Sequence, residues 1–542
     1  CPWRHRKDRW RLRFSYIFSG RHQRRRAGLS CRLRSRHKVF LANDGTSTPT
    51  YNHFINVRFA FQSDGGDTCH RNTNDISFWQ PMLFAAMAGG LGWGIRGQYG
   101  HETGAMIAGV LVSLTLVFLL CPTMPLLPVL RAAALGTVAM GIGGTMTYGV
   151  TLGLSQDPEL VGNWSALRWG LLGCAVKGSV WIGFAGLFLG IGLGGKRYTP
   201  LEMFLLLLAM LAAAFVGMWL LNSPFDPEAR RLPAIHFSNL WHWLPDSESR
   251  PRAESWGGLH AALLLGIVYC AVRKKDALAR NMGLWGLLGG ALGFPIGQSL
   301  QAYHAWNPAV FDQGIWTNLD PYMNWWNTME TTFGCIMGAT LGLGLWLNRR
   351  RIDLAPDHEE KTLPPVLAWS LLALHVFLIT RMTFYAGWAE AIYDFGIILA
   401  IIPFVCNIRG HVWPWFQITT ITLIPIAAKT VTELVRKSET LPLFPGWLLY
   451  FVVPLALATG LAVWGTRFLR TDAPSHRFVA IALLVNVWIY FALNFAIFRF
   501  PWPWAEWTGR TPSGIVFTVF TLALTAMVVV TYWRRKVADT AS

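Results

Sequence analysis

Arg96, Gln98, His101 and Glu102 fall within seven positions of one another. A guanidinium can hold an anion through two parallel hydrogen bonds. An imidazole beside a carboxylate can exchange protons near neutral pH. At membrane depth such groups are costly, so they tend to face a bundle interior or an aqueous cavity. The plainer expectation is a short wet loop at the membrane surface, with Glu102 capping the next helix through its dipole. A second set comprises Gln298, Gln301, His304 and Glu330, with Asn307, Asn324, Asn327, Trp306, Trp316, Trp325 and Trp326 nearby. Carboxamides, a carboxylate and indole faces suit a polar solute, a sugar or a lipid headgroup. An aromatic belt above an ordinary polar loop would use the same residues. Glu390 and Asp394 lie four apart, hence on one helix face, and form either a proton relay or a structural acid pair. No residue is assigned a catalytic role, and whether the chain is an enzyme stays open.

The elements that must position these groups are apolar segments of membrane length. The first set follows Gly89-Gly90-Leu91-Gly92-Trp93-Gly94-Ile95-Arg96-Gly97-Gln98. A related stretch, Gly289-Gly290-Ala291-Leu292-Gly293-Phe294-Pro295-Ile296-Gly297-Gln298, also begins Gly-Gly and ends Gly-Gln. Apolar segments occupy 78–97, 103–120, 127–154, 166–194, 201–221, 255–272, 282–301 and 330–347. After a polar break come 366–380, 384–405, 412–430, 445–466, 477–498 and 513–533. A span needs roughly 20 apolar residues. The expected fold is therefore all-α, a polytopic membrane bundle of about 14 helices.

The first eight segments read as four helical hairpins, with glycine-rich repeats in this N-terminal half. In each, the returning helix is expected to start near an ionisable residue: Glu102, Lys177, Glu254 or Glu330. Small residues three or four apart let helix backbones approach closely. Alternatively, Gly-Gly, Gly-Trp-Gly and Pro295 could break the helices and present backbone groups to a solute. Lys177 reads as a side chain snorkelling to the interface.

Of the 542 residues only 14% are charged and 53% are hydrophobic, whereas soluble domains carry about 25% charged residues. The net charge of +18 is concentrated at the start, where residues 1–40 hold 14 Lys and Arg against Asp8 alone. Residues 1–77 are expected to be a basic and polar tail, disordered or not native, outside the fold. They lack the apolar run of a signal peptide. Beyond it, the organisation reads as an eight-helix bundle over 78–347, a cytoplasmic linker over 348–365, a six-helix bundle over 366–533 and a cytoplasmic tail over 534–542. From the fourth on, every even-numbered span ends in Lys or Arg, as at Lys196-Arg197, Arg273-Lys274-Lys275 and Arg349-Arg350-Arg351. That bias puts both termini in the cytoplasm and loops 222–253 and 302–328 outside a multi-pass cell membrane protein.

Eight scattered cysteines form no CxxC pair, and no metal or cofactor is expected. GxxxxGK[ST], HExxH and GxSxG are absent. The expected partners are the bilayer and a small polar solute or lipid headgroup, not nucleic acid. Three functions remain: a permease for a small polar or anionic solute, a membrane-embedded transferase using a lipid-linked sugar or acyl donor outside, and a structural or assembly protein.

Overall fold

The computed structural model describes residues 76–97, 99–100, 103–143, 148–354, 363–385, 387–389, 392, 401–409, 415–437, 441–468, 475–498 and 506–541. Among them the protein is all-helical, without a strand. The first helices are α1 (Trp79–Arg96), α2 (Thr103–Leu120), α3 (Leu126–Ile142), the short α4 (Gly149–Gln156), α5 (Trp164–Leu193), α6 (Pro200–Leu221) and α7 (Trp256–Val268). Then come α8 (Ala277–Trp306), two single-turn helices α9 (Pro308–Phe311) and α10 (Trp316–Leu319), and α11 (Trp325–Leu347). The C-terminal part holds α12 (Pro365–Tyr385), α13 (Ile402–Arg409), α14 (Thr422–Val431), α15 (Leu443–Trp447), α16 (Val453–Phe468), α17 (His476–Phe498) and α18 (Thr511–Ala541).

Nine helical stretches among the described residues are long and apolar enough to cross a membrane, and each overlaps one of the fourteen expected segments. Four further segments correspond to α1, α3 with α4, α8 and α11; of these α3 is apolar but only 17 residues long. The segment 384–405 lies mostly outside the described residues.

Several starts follow from local chemistry. Thr199 and Glu202 form a reciprocal capping box before α6, with Pro200 in its first turn. Asn163, Asp276 and Asn324 accept from the backbone N–H of Ala166, Ala279 and Asn327 to begin α5, α8 and α11. These caps displace two expected starts. Lys177 lies in the middle of α5 and Glu330 in the second turn of α11. The glycine motifs do not break their helices. Both α1 and α8 run continuously through them, α8 even past Pro295.

Glycine instead sits on helix seams. Six helices form a closed cycle of contacts, α1–α2–α3–α5–α8–α11 and back to α1. Each seam carries glycine against the neighbour. Gly92 meets Ala108, Gly109 meets Thr137, Gly192 meets Ala132, Gly290 meets Gly178, Gly297 meets Met329, and Gly334 meets Gly89. Backbone approaches backbone at these points, so dispersion between main chains replaces side-chain interdigitation. Trp93 of α1 reaches across the cycle to Trp181 of α5, with ring centroids 4.9 Å apart. Around the cycle, α14 and α17 pack on α2, α18 packs on α1, and α13 packs on α3 and α6. One hydrophobic core runs through both groups of helices.

A Cβ at Gly290 would run into the Gly178 carbonyl, whereas one at Gly460 in α16 would meet nothing within 4 Å. Gly290→Ala is therefore expected to destabilise by at least about 1–3 kcal/mol through overpacking. Gly460→Ala should gain about 0.5–1 kcal/mol of helix propensity. Thermal midpoints in detergent check the pair; equal shifts in one direction would contradict the seam account.

Candidate functional site

The end of α1 places Arg96 inside the six-helix cycle, 2% exposed. Its guanidinium lies over three rings, with centroid distances of 4.9 Å to Trp93, 5.6 Å to Tyr148 and 5.3 Å to Trp181. Electron-rich ring faces attract a desolvated cation. Arg96 Nη2 donates to Glu330 Oε1 at 2.7 Å and to the Tyr148 hydroxyl at 2.5 Å. The same Glu330 oxygen accepts from Trp326 Nε1 at 3.1 Å. Gly97 lies directly against the other carboxylate oxygen, Oε2, where a side chain would collide with it. Arg510, just before α18, is near enough to Glu330 for electrostatic attraction. Asn327 Nδ2 donates to the Gly94 carbonyl at 2.7 Å and ties α11 to α1 beside the pair. Phe333 and Phe294 stack 5.0 Å apart below, with Phe333 against Trp93 and Phe294 against Tyr148.

A second buried charge pair lies nearby along α5. Lys177 is one turn before Trp181 and 1% exposed. Its Nζ donates to Glu254 Oε1 at 2.6 Å, Thr151 Oγ1 at 2.7 Å and Ser238 Oγ at 3.3 Å. Those three acceptors match the three protons of an ammonium. Lys177 thus does not snorkel to the interface. Burial with a full set of acceptors holds it inside. Glu254 Oε1 also accepts from Ser238 Oγ, and its Oε2 accepts from the Phe237 N–H at 2.9 Å. Loop 222–255 is in this way folded down onto the bundle. Asn222 at its start accepts from the Gly257 N–H at 2.9 Å, closing the loop at its base.

Gln298 occupies a third position. Its Nε2 donates to Ser155 Oγ at 2.8 Å and Gln156 Oε1 at 3.2 Å, while its own Oε1 is buried without a hydrogen bond. Trp306 Nε1 covers the same spot by donating to the Ser155 carbonyl at 2.9 Å. The short α4 and the residue before it therefore touch all three polar groups: Tyr148 at Arg96, Thr151 at Lys177, and Ser155 with Gln156 at Gln298.

Of the residues singled out by sequence, Arg96 and Glu330 are brought into direct contact. Gln298 lies one turn beyond Phe294, which packs against Tyr148, the hydroxyl partner of Arg96. Gln301 Oε1 is buried without a hydrogen bond. His304 is turned elsewhere. It lies 3.0 Å from Asp320 and stacks on Trp325 with centroids 4.5 Å apart, within an aromatic cluster completed by Phe311 and Trp316. Gln98, His101, Glu102, Glu390 and Asp394 lie outside the described residues. Tyr148, Thr151, Ser155 and Ser238 carry no sequence signal, being isolated hydroxyls whose partners are distant in the chain. No group of three or more potential metal ligands occurs among the described residues. No family model, curated protein or solved structure matches the chain.

Acid should loosen the folded loop. Burial alone would raise the Glu254 carboxyl, but Lys177, His236 and the hydrogen bonds outweigh it and hold it below the usual range. Burial lowers His236, with Lys177 adding to the effect against the attraction of Glu254. His236 therefore holds its proton less tightly in the folded loop than in the unfolded chain, so acid favours the unfolded loop. This contribution falls as pH drops below the ordinary histidine value of about 6.5. Glu254's contribution, complete above the ordinary value of about 4.3, is lost at lower pH still, through its depressed folded value. Proteolytic cleavage within 222–255 should accelerate from about pH 7 to about 5, and His236→Asn should flatten that rise. A flat wild-type profile would contradict the assignment.

Proposed function

We propose that the protein is a membrane permease for a small polar or anionic solute, with the Arg96–Glu330 pair at its centre. The observation that carries this reading is a buried charge pair beside aromatic rings inside a closed cycle of six helices. A buried ion pair is weak evidence for stability, since well-packed apolar residues in its place are often as stable or more so. Charged groups within a bundle are most readily understood as serving a solute path.

Sidedness belongs to the same reading. Loops 194–199, 273–276 and 348–353 gather at one end, where the Asp353 N–H donates to the Leu193 carbonyl and the Tyr198 hydroxyl donates to Asp276. They hold Lys196, Arg197, Arg273, Lys274, Lys275 and Arg349 to Arg351, the charge bias of a cytoplasmic face. Loops 222–255 and 307–324 then lie outside. Accessibility of a single cysteine tests the proposal. Trp326→Cys, with the native cysteines replaced, should react with a membrane-impermeant thiol reagent from either side of sealed vesicles in turn. A cysteine at Trp316 should react from outside only. No reaction at position 326 from either side would sink the permease reading; reaction at 316 from the cytoplasmic side would invert the topology.

A further inference from the structure

We propose that the outward face of α12 is a seat for an anionic phospholipid, with an acyl chain along its groove and the phosphate on Arg381. A groove of about 610 Å³ runs along this helix from Trp369 to Tyr385. The helix is long and apolar enough to cross a membrane, and little of it is buried against the rest of the protein. Trp369, Phe377 and Tyr385 line the groove and are each more than half exposed. They recur every eight residues, a spacing of about 12 Å along a helix axis. Ala373 and Thr380 lie between these rings and keep the floor of the groove low. Arg381 is the one charged side chain among the described lining residues.

Arg381 stands one turn before the end of α12, the depth at which membrane helices meet phospholipid head groups. Its guanidinium lies 5.1 Å from the Tyr385 ring centroid and 5.9 Å from that of Trp388. The chain leaves the helix through Gly387 at φ +76°, where an added Cβ would come within 3.9 Å of Nη2. A guanidinium carries five N–H donors and takes a phosphate alongside its other contacts. Close helix seams elsewhere in the protein carry glycine against the neighbouring backbone. α12 contains no glycine, and its three rings would hold a second helix away. A flexible acyl chain can bend between them. An apolar wall ending in a cation matches the order of an anionic phospholipid, chain and then phosphate. A zwitterionic lipid brings its own ammonium beside the guanidinium, which offsets the attraction. The seat does not involve Arg96 or Glu330 and is independent of whether the protein moves a solute.

The test is the thermal midpoint of the full chain in dodecyl maltoside, with phosphatidylglycerol or phosphatidylcholine added at equal concentration. Phosphatidylglycerol should raise the midpoint by about 3 °C or more above phosphatidylcholine. Arg381→Gln should remove at least about half of that difference, whereas Arg381→Lys, which keeps the charge, should retain more of it. Ala373→Trp fills the groove floor from an exposed position and should reduce protection by both lipids. Arg350→Gln, in the basic loop after α11, should leave the difference intact, which separates the seat from general attraction to positive charge. Glycerol 3-phosphate, a head group without chains, should not protect. Equal protection by both lipids, an unchanged difference in Arg381→Gln, or an equal loss in Arg350→Gln would overturn the seat. So would unchanged protection in Ala373→Trp, or protection by glycerol 3-phosphate alone. A dimer that forms with rising concentration and is broken by Ala373→Trp would give the groove to a second copy instead. Should Arg381→Gln fail to fold, the lysine and tryptophan variants decide by the same readings.

Discussion

Glu254→Ala is expected to cost about 3–5 kcal/mol of stability, because it strands the Lys177 ammonium in the interior. The ammonium's hydrogen bonds to Thr151 and Ser238 are to neutral hydroxyls. The Phe237 N–H also loses its acceptor, adding the penalty of a buried unpaired donor. Loop 222–255 should then detach, visible as faster proteolysis at neutral pH and a lower thermal midpoint. The double variant Lys177→Met with Glu254→Gln should recover most of the loss, since an apolar side chain leaves no charge and the amide oxygen can still accept from Phe237. If the single and double variants were equally unstable, the charge pair would not be the cause.

Arg96→Met carries the second large effect. It removes the guanidinium from three rings and leaves Glu330 with Trp326, Gly97 and the more distant Arg510. An uncompensated buried carboxylate costs about 3–5 kcal/mol. Arg96→Lys should be milder for folding, because the charge remains, yet severe for function, because an ammonium cannot reproduce the fork. Comparing the two separates a site from a strut. The lysine variant should fold with a midpoint close to wild type and lose at least about 100-fold in transport, corresponding to about 2.7 kcal/mol. Parallel loss of both properties in both variants would make Arg96 structural.

The helical class was legible from apolar run length, since each helix of membrane length spells itself out locally. The glycine density was legible as close packing, but the partners were not. Gly89 meets Gly334 and Gly290 meets Gly178 across more than a hundred residues, and nothing local chooses those pairings. Gly-Gly and Pro295 also suggested broken helices, whereas α1 and α8 continue through them because neighbouring backbones pack into the space glycine leaves. At the site, Arg96 and Glu330 stood out as charges at the ends of apolar segments. Their meeting, 234 positions apart, depends on α11 packing beside α1. Lys177 and Glu254 were each visible as charges, yet Lys177 read as an interfacial side chain because its acceptors are single hydroxyls and a loop carboxylate distant in sequence. Tyr148 illustrates the limit most clearly: one tyrosine among thirteen, made important only by the short helix that carries it to Arg96.

Uptake into proteoliposomes tests the central claim most directly. Purified protein reconstituted into sealed vesicles would be presented with labelled small polar and anionic solutes, each alone and against an excess of the same solute unlabelled. The account predicts saturable uptake for at least one of them, with Arg96→Lys lowered by at least about 100-fold while its thermal midpoint stays near wild type. Vesicles that take up none of these solutes above protein-free controls, or an Arg96→Lys protein that transports as well as wild type, would contradict it.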